Sequence, residues 1–211
     1  MGYSQNFQLG IKGGLGLYSF YGKDIPVFSY KPGSLLGITA RIPLKNHTYF
    51  QSGLQYEMKG GKRTSKGHFY DQINELNIYY DGQTKMNYSY LTIPFLLHFG
   101  IGQKETFFVN GGPFIGYMVS AIVRSKTTDS NTGELLFEEE INYNENGQIS
   151  NLNRFDCGLN VGGGANIRIF PKIILSFEAI YSMSFLKLYE ESKRKHIGFG
   201  LNTGLLYTFG E

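Results

Sequence analysis

The chain has 211 residues, a length that fits one domain, and its formal net charge of +3 at pH 7 gives no indication of nucleic-acid binding. Its single cysteine, Cys157, excludes an internal disulfide and a thiolate metal site. A stretch of about eighteen apolar residues, as a transmembrane helix requires, does not occur.

The composition favours β structure. The chain holds 16 Tyr, 17 Phe and 28 Gly but only 6 Pro and no Trp. Aromatic residues favour strands, and a glycine within a strand usually marks a bulge, a bend or a close backbone approach. We therefore predict an all-β fold, with residues 1–211 as a single domain.

Eight segments alternate apolar residues with small or polar residues at a period of two, as a β-strand with two different faces does. In the fourth segment Leu96 departs from the alternation. The segments are 7–18, 36–42, 49–59, 90–99, 107–120, 155–168, 173–182 and 196–209. They predict eight strands.

The charged residues within these segments all share the glycine-rich parity, and they are Lys12, Arg41, Glu57, Lys59, Asp156, Arg168 and Glu178. In a soluble barrel the inward face is bulky and apolar and the outward face is charged. Here the polar face is small, which suits the crowded interior of a narrow barrel, while the aliphatic and aromatic face suits lipid. The pattern favours the inside-out arrangement, with a soluble lipocalin-like ligand-binding barrel as the alternative.

The connections between the segments alternate between long and short. The long ones are polar and cover 19–34, 60–88, 122–153 and 184–195; the short ones cover 43–47, 100–105 and 170–172. This order predicts an eight-stranded antiparallel up-and-down transmembrane β-barrel in a bacterial outer membrane, with short periplasmic turns and long extracellular loops. Aromatic residues near the strand ends predict an interfacial girdle made of Phe69, Tyr70, Tyr79, Tyr80, Tyr88 and Tyr90.

The first residues run directly into a strand pattern and contain no signal peptide, although an exported protein carries one. We therefore expect this sequence to be a mature chain in which Met1 replaces the removed signal peptide.

Several glycine-rich and aromatic segments resemble the PorT-like outer-membrane β-barrel family of Bacteroidetes. They are residues 10–15, 51–60, 90–97, 110–116, 155–164 and 204–209. The resemblance implies a small outer-membrane barrel and brings no catalytic motif with it. Because the family's namesake is linked to protein secretion across the outer membrane, it also implies an export or envelope-assembly role as an alternative. The ending Gly210-Glu211 departs from the aromatic residue on which such barrels commonly end.

The seven interior charges are interpreted as an ion-pair network rather than as catalytic groups. Glu57, Asp156 and Glu178 are possible general acids or bases, but an unpaired charge in a narrow interior is costly and must find a partner. A lumen filled by such pairs does not conduct freely. We predict no catalytic residue, no cofactor and no metal site, since the four histidines (His47, His68, His98 and His196) lack metal-ligand spacing.

The sequence thus predicts a non-enzymatic outer-membrane barrel that binds a surface ligand, an envelope component or a partner protein through its outer loops. The loops carry an acidic run around Glu134–Glu140 and a basic run around Lys193–Lys195. We expect a monomer surrounded by outer-membrane lipid and lipopolysaccharide. A lipid-modifying enzyme is the remaining alternative, for which Ser89, Ser120, Ser182 and His196 are the candidate residues.

Overall fold

The computed structural model describes residues 7–23, 25–45, 47–71, 76–102, 106–144, 152–189 and 193–210. In this part of the chain it contains nine β-strands: β1 Phe7–Tyr21, β2 Lys31–Pro43, β3 Thr48–Asp71, β4 Leu76–Ile101, β5 Phe107–Asp129, β6 Leu135–Asn142, β7 Phe155–Phe170, β8 Ile173–Ser184 and β9 Lys195–Phe209. Over the same residues, a helix with the length and apolar character needed to cross a membrane is absent.

Eight of these strands close a ring by antiparallel pairing. Each pairs with the next along the chain from β1 to β5, β5 then pairs with β7, and β7, β8 and β9 follow in order. The ring closes where β1 pairs with β9, in a register that runs from Phe7 opposite Phe209 to Tyr21 opposite Lys195. The predicted eight-stranded antiparallel up-and-down barrel is confirmed.

The two ends of the barrel differ. At one end, called the turn end, short connections at 44–47, 102–106 and 171–172 join the strands, and both β1 and β9 have their outer termini there. At the other end, called the loop end, the connections are longer. The turn residues Asn46 and 103–105 and the loop residues Glu190, Glu191 and Ser192 lie outside the described residues.

Period-two alternation separates the two faces of the barrel wall. On the outward face Ile11, Leu15 and Leu201 are 62%, 74% and 61% exposed, whereas Lys12 and Glu178 on the inward face are each 6% exposed. A water-soluble barrel would reverse this arrangement, because exposing so many large apolar side chains to water is unfavourable. The outward face therefore matches the hydrocarbon region of a membrane.

The long connections differ from the prediction. Residues 60–88 and 122–153 were expected to be loops, but β3 and β4 continue as one hairpin beyond the barrel, β5 extends to Asp129, and β6 pairs with β5. Together residues 60–71, 76–88, 121–129 and 135–142 form a four-stranded antiparallel sheet, here called the protruding sheet. Because both of its faces are mostly polar, the sequence does not show the apolar alternation by which a strand is recognised.

The predicted aromatic girdle is wrong: two of its members are buried, and the other four lie on the protruding sheet. Tyr88 and Tyr90 are 0% and 1% exposed and lie inside the barrel. Phe69, Tyr70 and Tyr79 are exposed, but they lie on the protruding sheet rather than where the strands leave the apolar band. The pairing of β4 with β5 shifts between Ser89 and Tyr90, where β5 has one extra residue.

Replacing Leu201 by arginine tests the assignment of the outward face. Leu201 lies in mid-strand, opposite Leu15 on β1 and Ala179 on β8. Because a cation there would enter hydrocarbon, Leu201→Arg should lower the free energy of unfolding by about 2–4 kcal/mol. The measurement is urea unfolding in lipid vesicles, followed by the heat-dependent gel mobility of the folded barrel.

Leu201→Ile is the matched control, since it conserves volume and should cost less than about 1.5 kcal/mol. An arginine variant as stable as this control would show that the outward face does not contact lipid.

Candidate functional site: the barrel interior

The interior is built in layers along the barrel axis. Nearest the turn end, Arg41 of β2 donates from Nε to Gln51 Oε1 (2.7 Å), from Nη1 to Asn166 Oδ1 (3.2 Å) and from Nη2 to Ser176 Oγ (3.2 Å). Its guanidinium also lies 5.5 Å from the centre of the Phe108 ring, within cation–π range. These contacts link β2 to β3, β5, β7 and β8 around the guanidinium of Arg41.

The next layer centres on an ion pair between Lys12 of β1 and Glu178 of β8, both buried. Asn110 donates to Glu178 Oε1 (2.6 Å) and Asn202 donates to Glu178 Oε2 (3.1 Å). Both carboxylate oxygens therefore have donors, as a buried charge requires. A carboxylate held in this way is poorly suited to accept a proton from a substrate.

Closer to the loop end, Lys59 lies between two carboxylates. Its Nζ is 3.1 Å from Glu57 Oε2 and 3.5 Å from Asp156 Oδ2, and it lies 4.5 Å from the centre of the Phe114 ring. Tyr18 donates from its hydroxyl to Glu57 Oε1 (3.0 Å). Lys59 thus bridges β3 and β7 across the interior at this level of the barrel.

Tyr18 reaches Glu57 because glycines line the space that its ring occupies. A Cβ on Gly198 would lie 2.3 Å from Tyr18 Cδ1, and a Cβ on Gly33 would lie 2.7 Å from Tyr18 Cδ2. Both distances are shorter than any van der Waals contact allows. The glycine-rich parity seen in the sequence is therefore a packing requirement: small residues on β2 and β9 make room for large side chains from β1.

At the loop end the interior changes from polar to apolar. A buried cluster, here called the apolar cap, closes the lumen with residues from the barrel strands and from the connections above them. Its members are Phe20, Phe28, Tyr88, Tyr90, Met118, Ala121, Leu152 and Leu188. His196 shares a hydrogen bond with Tyr90 (3.1 Å) at its base. The alternation of the strands predicts only a polar lumen and gives no signal for this cap.

Six of the seven predicted lumen charges lie in the interior layers. They are Lys12, Arg41, Glu57, Lys59, Asp156 and Glu178. Arg168 requires a correction: it is exposed at the turn end, where its Nη1 donates to the carbonyl of Pro171 (3.4 Å). Arg168 lies two residues before the end of β7, so its long side chain reaches water at the mouth of the lumen, where it also lines a cavity beside Arg41.

Three of the four candidate residues for a lipid-modifying enzyme have hydrogen-bond partners outside the candidate set, and the fourth, Ser89, is buried on β4. Ser182 donates to Asn160 Oδ1 (2.7 Å), Ser120 accepts from Asn144 Nδ2 (2.9 Å), and His196 is bonded to Tyr90. Elsewhere His98 stacks on Phe108 with ring centres 4.2 Å apart. Across the described ranges, no group of three His, Cys, Asp or Glu side chains is placed to hold a metal ion.

The remaining space inside the barrel is small. A cavity beside Lys12 and Tyr18 measures about 10 Å³, and one beside Arg41 and His98 at the turn end measures about 30 Å³. Volumes of this size hold one or two water molecules. Around these cavities, the described part of the interior is packed with buried polar side chains.

Comparison with known proteins decides what kind of barrel this is. Residues 3–190 match the family described as outer membrane protein beta-barrel domain. The chain belongs to this family. It is a β-barrel protein of the bacterial outer membrane. No curated protein matches the chain.

Solved structures of outer-membrane barrels are similar to it along nearly their whole length. Neisserial surface protein A is 11% identical (TM-score 0.48; 96% of this chain, 97% of that chain), and Ail, the attachment invasion locus protein of Yersinia pestis, is 14% identical (TM-score 0.40; 96% and 99%). The outer-membrane protease OmpT of Escherichia coli is 10% identical (TM-score 0.40; 97% of each chain). At these identities and TM-scores they give no information about activity, and the family match carries the assignment.

A double-mutant cycle on Lys12 and Glu178 tests the interior pairing. Lys12→Met leaves an unpaired carboxylate and Glu178→Gln leaves an unpaired ammonium, and each should cost about 3–5 kcal/mol. The double variant should be more stable than the sum of the two predicts, with a coupling energy of about 0.5–3 kcal/mol. Urea unfolding in lipid vesicles measures all four proteins. Strictly additive effects would show that the two side chains do not act as a pair.

Proposed function

We propose that this protein is a closed, non-enzymatic barrel that holds the protruding sheet at the cell surface, where the sheet binds a surface ligand or a partner protein. The observation that carries the proposal is a contrast within one chain. Buried side chains occupy the barrel interior from the turn end to the loop end, while the protruding sheet exposes side chains on both faces and has β6 as its outermost described strand.

Three features support a closed barrel. Arg41, the Lys12–Glu178 pair and the Lys59 cluster each cross the interior at a different depth, and the apolar cap covers the last of them. An ion moving through the barrel would have to break these contacts in turn. Eight strands enclose only enough space for side chains, which agrees with this reading.

A non-enzymatic role is supported by how the acidic groups are used. Glu57, Asp156 and Glu178 are all buried and bound to lysines, amides or hydroxyls of the barrel itself. A general acid or base needs access to a substrate, and these carboxylates lie beneath the apolar cap or between ion pairs. Two of the serine candidates, Ser120 and Ser182, are likewise bonded to amides.

Binding by the protruding sheet is supported by its outermost described strand. In β6 the apolar side chains Leu135, Leu136 and Phe137 are exposed, and Glu138, Glu139 and Glu140 follow them directly. Among the described residues β6 pairs with β5 and is the outermost strand of the sheet. The edge of an outermost strand is a ready template for an added strand.

Membership of the PorT-like family remains a prediction, and so does the export role that the resemblance implies. The family that the chain matches is defined by its barrel, and the contacts described above favour neither an export role nor a lipid-modifying one. A role at the surface is preferred because the exposed chemistry of the molecule is concentrated on the protruding sheet.

Conductance in a planar lipid bilayer tests whether the barrel is closed. The wild-type protein should add no steady current steps, because the interior layers leave no continuous water path. A variant with Tyr18, Lys59 and Phe114 replaced by alanine should stay closed as well, because the Arg41 layer, the Lys12–Glu178 pair and the apolar cap remain. Steady steps from the wild-type protein would reject the closed barrel.

Cysteine labelling in intact cells tests the direction in which the protruding sheet faces. In a Cys157→Ala background, Ser130→Cys at the exposed β5–β6 turn should react with a membrane-impermeant maleimide without permeabilisation. Lys172→Cys, at the exposed β7–β8 turn, is the matched control and should react only after permeabilisation. The reverse pattern would place the protruding sheet in the periplasm.

A further inference from the structure

The outward face of the barrel continues onto the protruding sheet, where its side chains change from apolar to positively charged. Tyr56, Leu91 and Tyr117 lie side by side on β3, β4 and β5 and form the last row of three apolar side chains. Six residues further along β3, and across the same three strands, the register places Lys62 opposite Lys85 and Lys85 opposite Arg124. The two rows are six residues apart on β3 and β4, an even number, so the alternation keeps both rows on the outward face. On β5 the spacing from Tyr117 to Arg124 is seven residues, but one of these belongs to the bulge, so Arg124 also faces outward.

Three cations side by side on neighbouring strands are an unfavourable arrangement. Directly opposite residues have their Cβ atoms about 5 Å apart, and like charges at that spacing destabilise a sheet. Glu140 pairs with Arg124 at one end of the row. Among the described residues, neither Lys62 nor Lys85 has a carboxylate within 4.0 Å. The row therefore carries more positive charge than its own strands neutralise.

The depth of the row indicates which anion can reach it. Six residues at about 3.3 Å each, on strands tilted by about 40°, place the row roughly 15 Å beyond the last apolar row. That is past the hydrocarbon and within the layer of sugars that covers an outer leaflet of lipopolysaccharide. The side chains point toward the surrounding lipid rather than over the lumen, so a lipid neighbour meets them before a soluble molecule does.

We propose that Lys62, Lys85 and Arg124 form a binding site for the phosphate groups on the inner sugars of lipopolysaccharide. Cations at adjacent strands contact a phosphate together, and the phosphate relieves their mutual repulsion. Lys126, exposed on the same face two residues beyond Arg124, lies directly opposite Glu138 of β6, so the excess positive charge is concentrated at Lys62 and Lys85. The site binds the leaflet around the barrel and leaves β6 to other partners. This inference rests on the outward direction of the protruding sheet given in the proposed function.

Titration of the refolded protein in zwitterionic detergent with fluorescent deep-rough lipopolysaccharide tests the site. Replacing Lys62, Lys85 and Arg124 together by glutamine should weaken binding at least tenfold. The control replaces Lys45, Arg168 and Lys172, three exposed cations of the turn end, by glutamine and should bind as the wild type does. Equal loss in both triple variants, or no loss in the first, would overturn the proposal.

Two further measurements are needed. The first distinguishes a loss of positive charge from a loss of folding, and the second distinguishes lipopolysaccharide from a free anion as the ligand. Lys62→Arg/Lys85→Arg keeps the charges and should retain binding, whereas Lys62→Gln/Lys85→Gln should be at least as stable as wild type without lipopolysaccharide, because the repulsion is removed and the Arg124–Glu140 pair is kept. Dephosphorylated lipopolysaccharide should bind the wild type weakly, and millimolar inorganic phosphate should not displace the lipid. Displacement by inorganic phosphate, or full binding of the dephosphorylated lipid, would contradict the lipid phosphate as ligand.

Because this titration uses refolded protein in detergent, its result does not depend on which way the sheet faces in the cell. The maleimide experiment decides that orientation independently. If lipopolysaccharide binds in the titration but the labelling places the protruding sheet in the periplasm, the proposed surface role is rejected. If the labelling places the sheet at the cell surface but lipopolysaccharide does not bind, only the lipopolysaccharide site is rejected.

Discussion

A ring of eight strands encloses a space too narrow for bulk water, and the rest of the structure depends on that constraint. Every charge that enters the ring must find its partners among neighbouring side chains, since an unpaired buried charge is costly. The result is the sequence of layers around Arg41, Lys12 and Lys59. Glycine on the facing strands provides the room for these large side chains, as around Tyr18. Interior polarity and glycine content therefore have the same cause.

The sequence was sufficient to predict the barrel because each of its strands has one apolar and one small or polar face. That alternation identified all eight strands of the ring and assigned six of the seven interior charges to the inward side. It failed for the protruding sheet, whose two faces are both mostly polar, so that strand and loop look alike in sequence. Arg168 was misplaced because alternation records the direction of a residue but not its distance from a strand end.

The apolar cap is a different kind of failure. Phe20, Leu152 and Leu188 come from three separate parts of the chain and meet only once the connections fold over the lumen. No local pattern marks such a contact. Tyr88 and Tyr90 did carry a signal, since Tyr90 has the inward parity, but aromatic residues near strand ends are also typical of an interface with lipid. Burial of both rings resolves that ambiguity in favour of the interior.

Closure of the ring by β1 and β9 has a consequence for assembly. These strands are the first and the last of the barrel, and fifteen residue pairs join them, from Phe7 with Phe209 to Tyr21 with Lys195. Until β9 is in place, the growing sheet has two open edges whose backbone groups cannot be satisfied by hydrocarbon. Partial insertion is therefore unstable at every stage, and the chain must enter the membrane as a nearly complete sheet that closes in its final step.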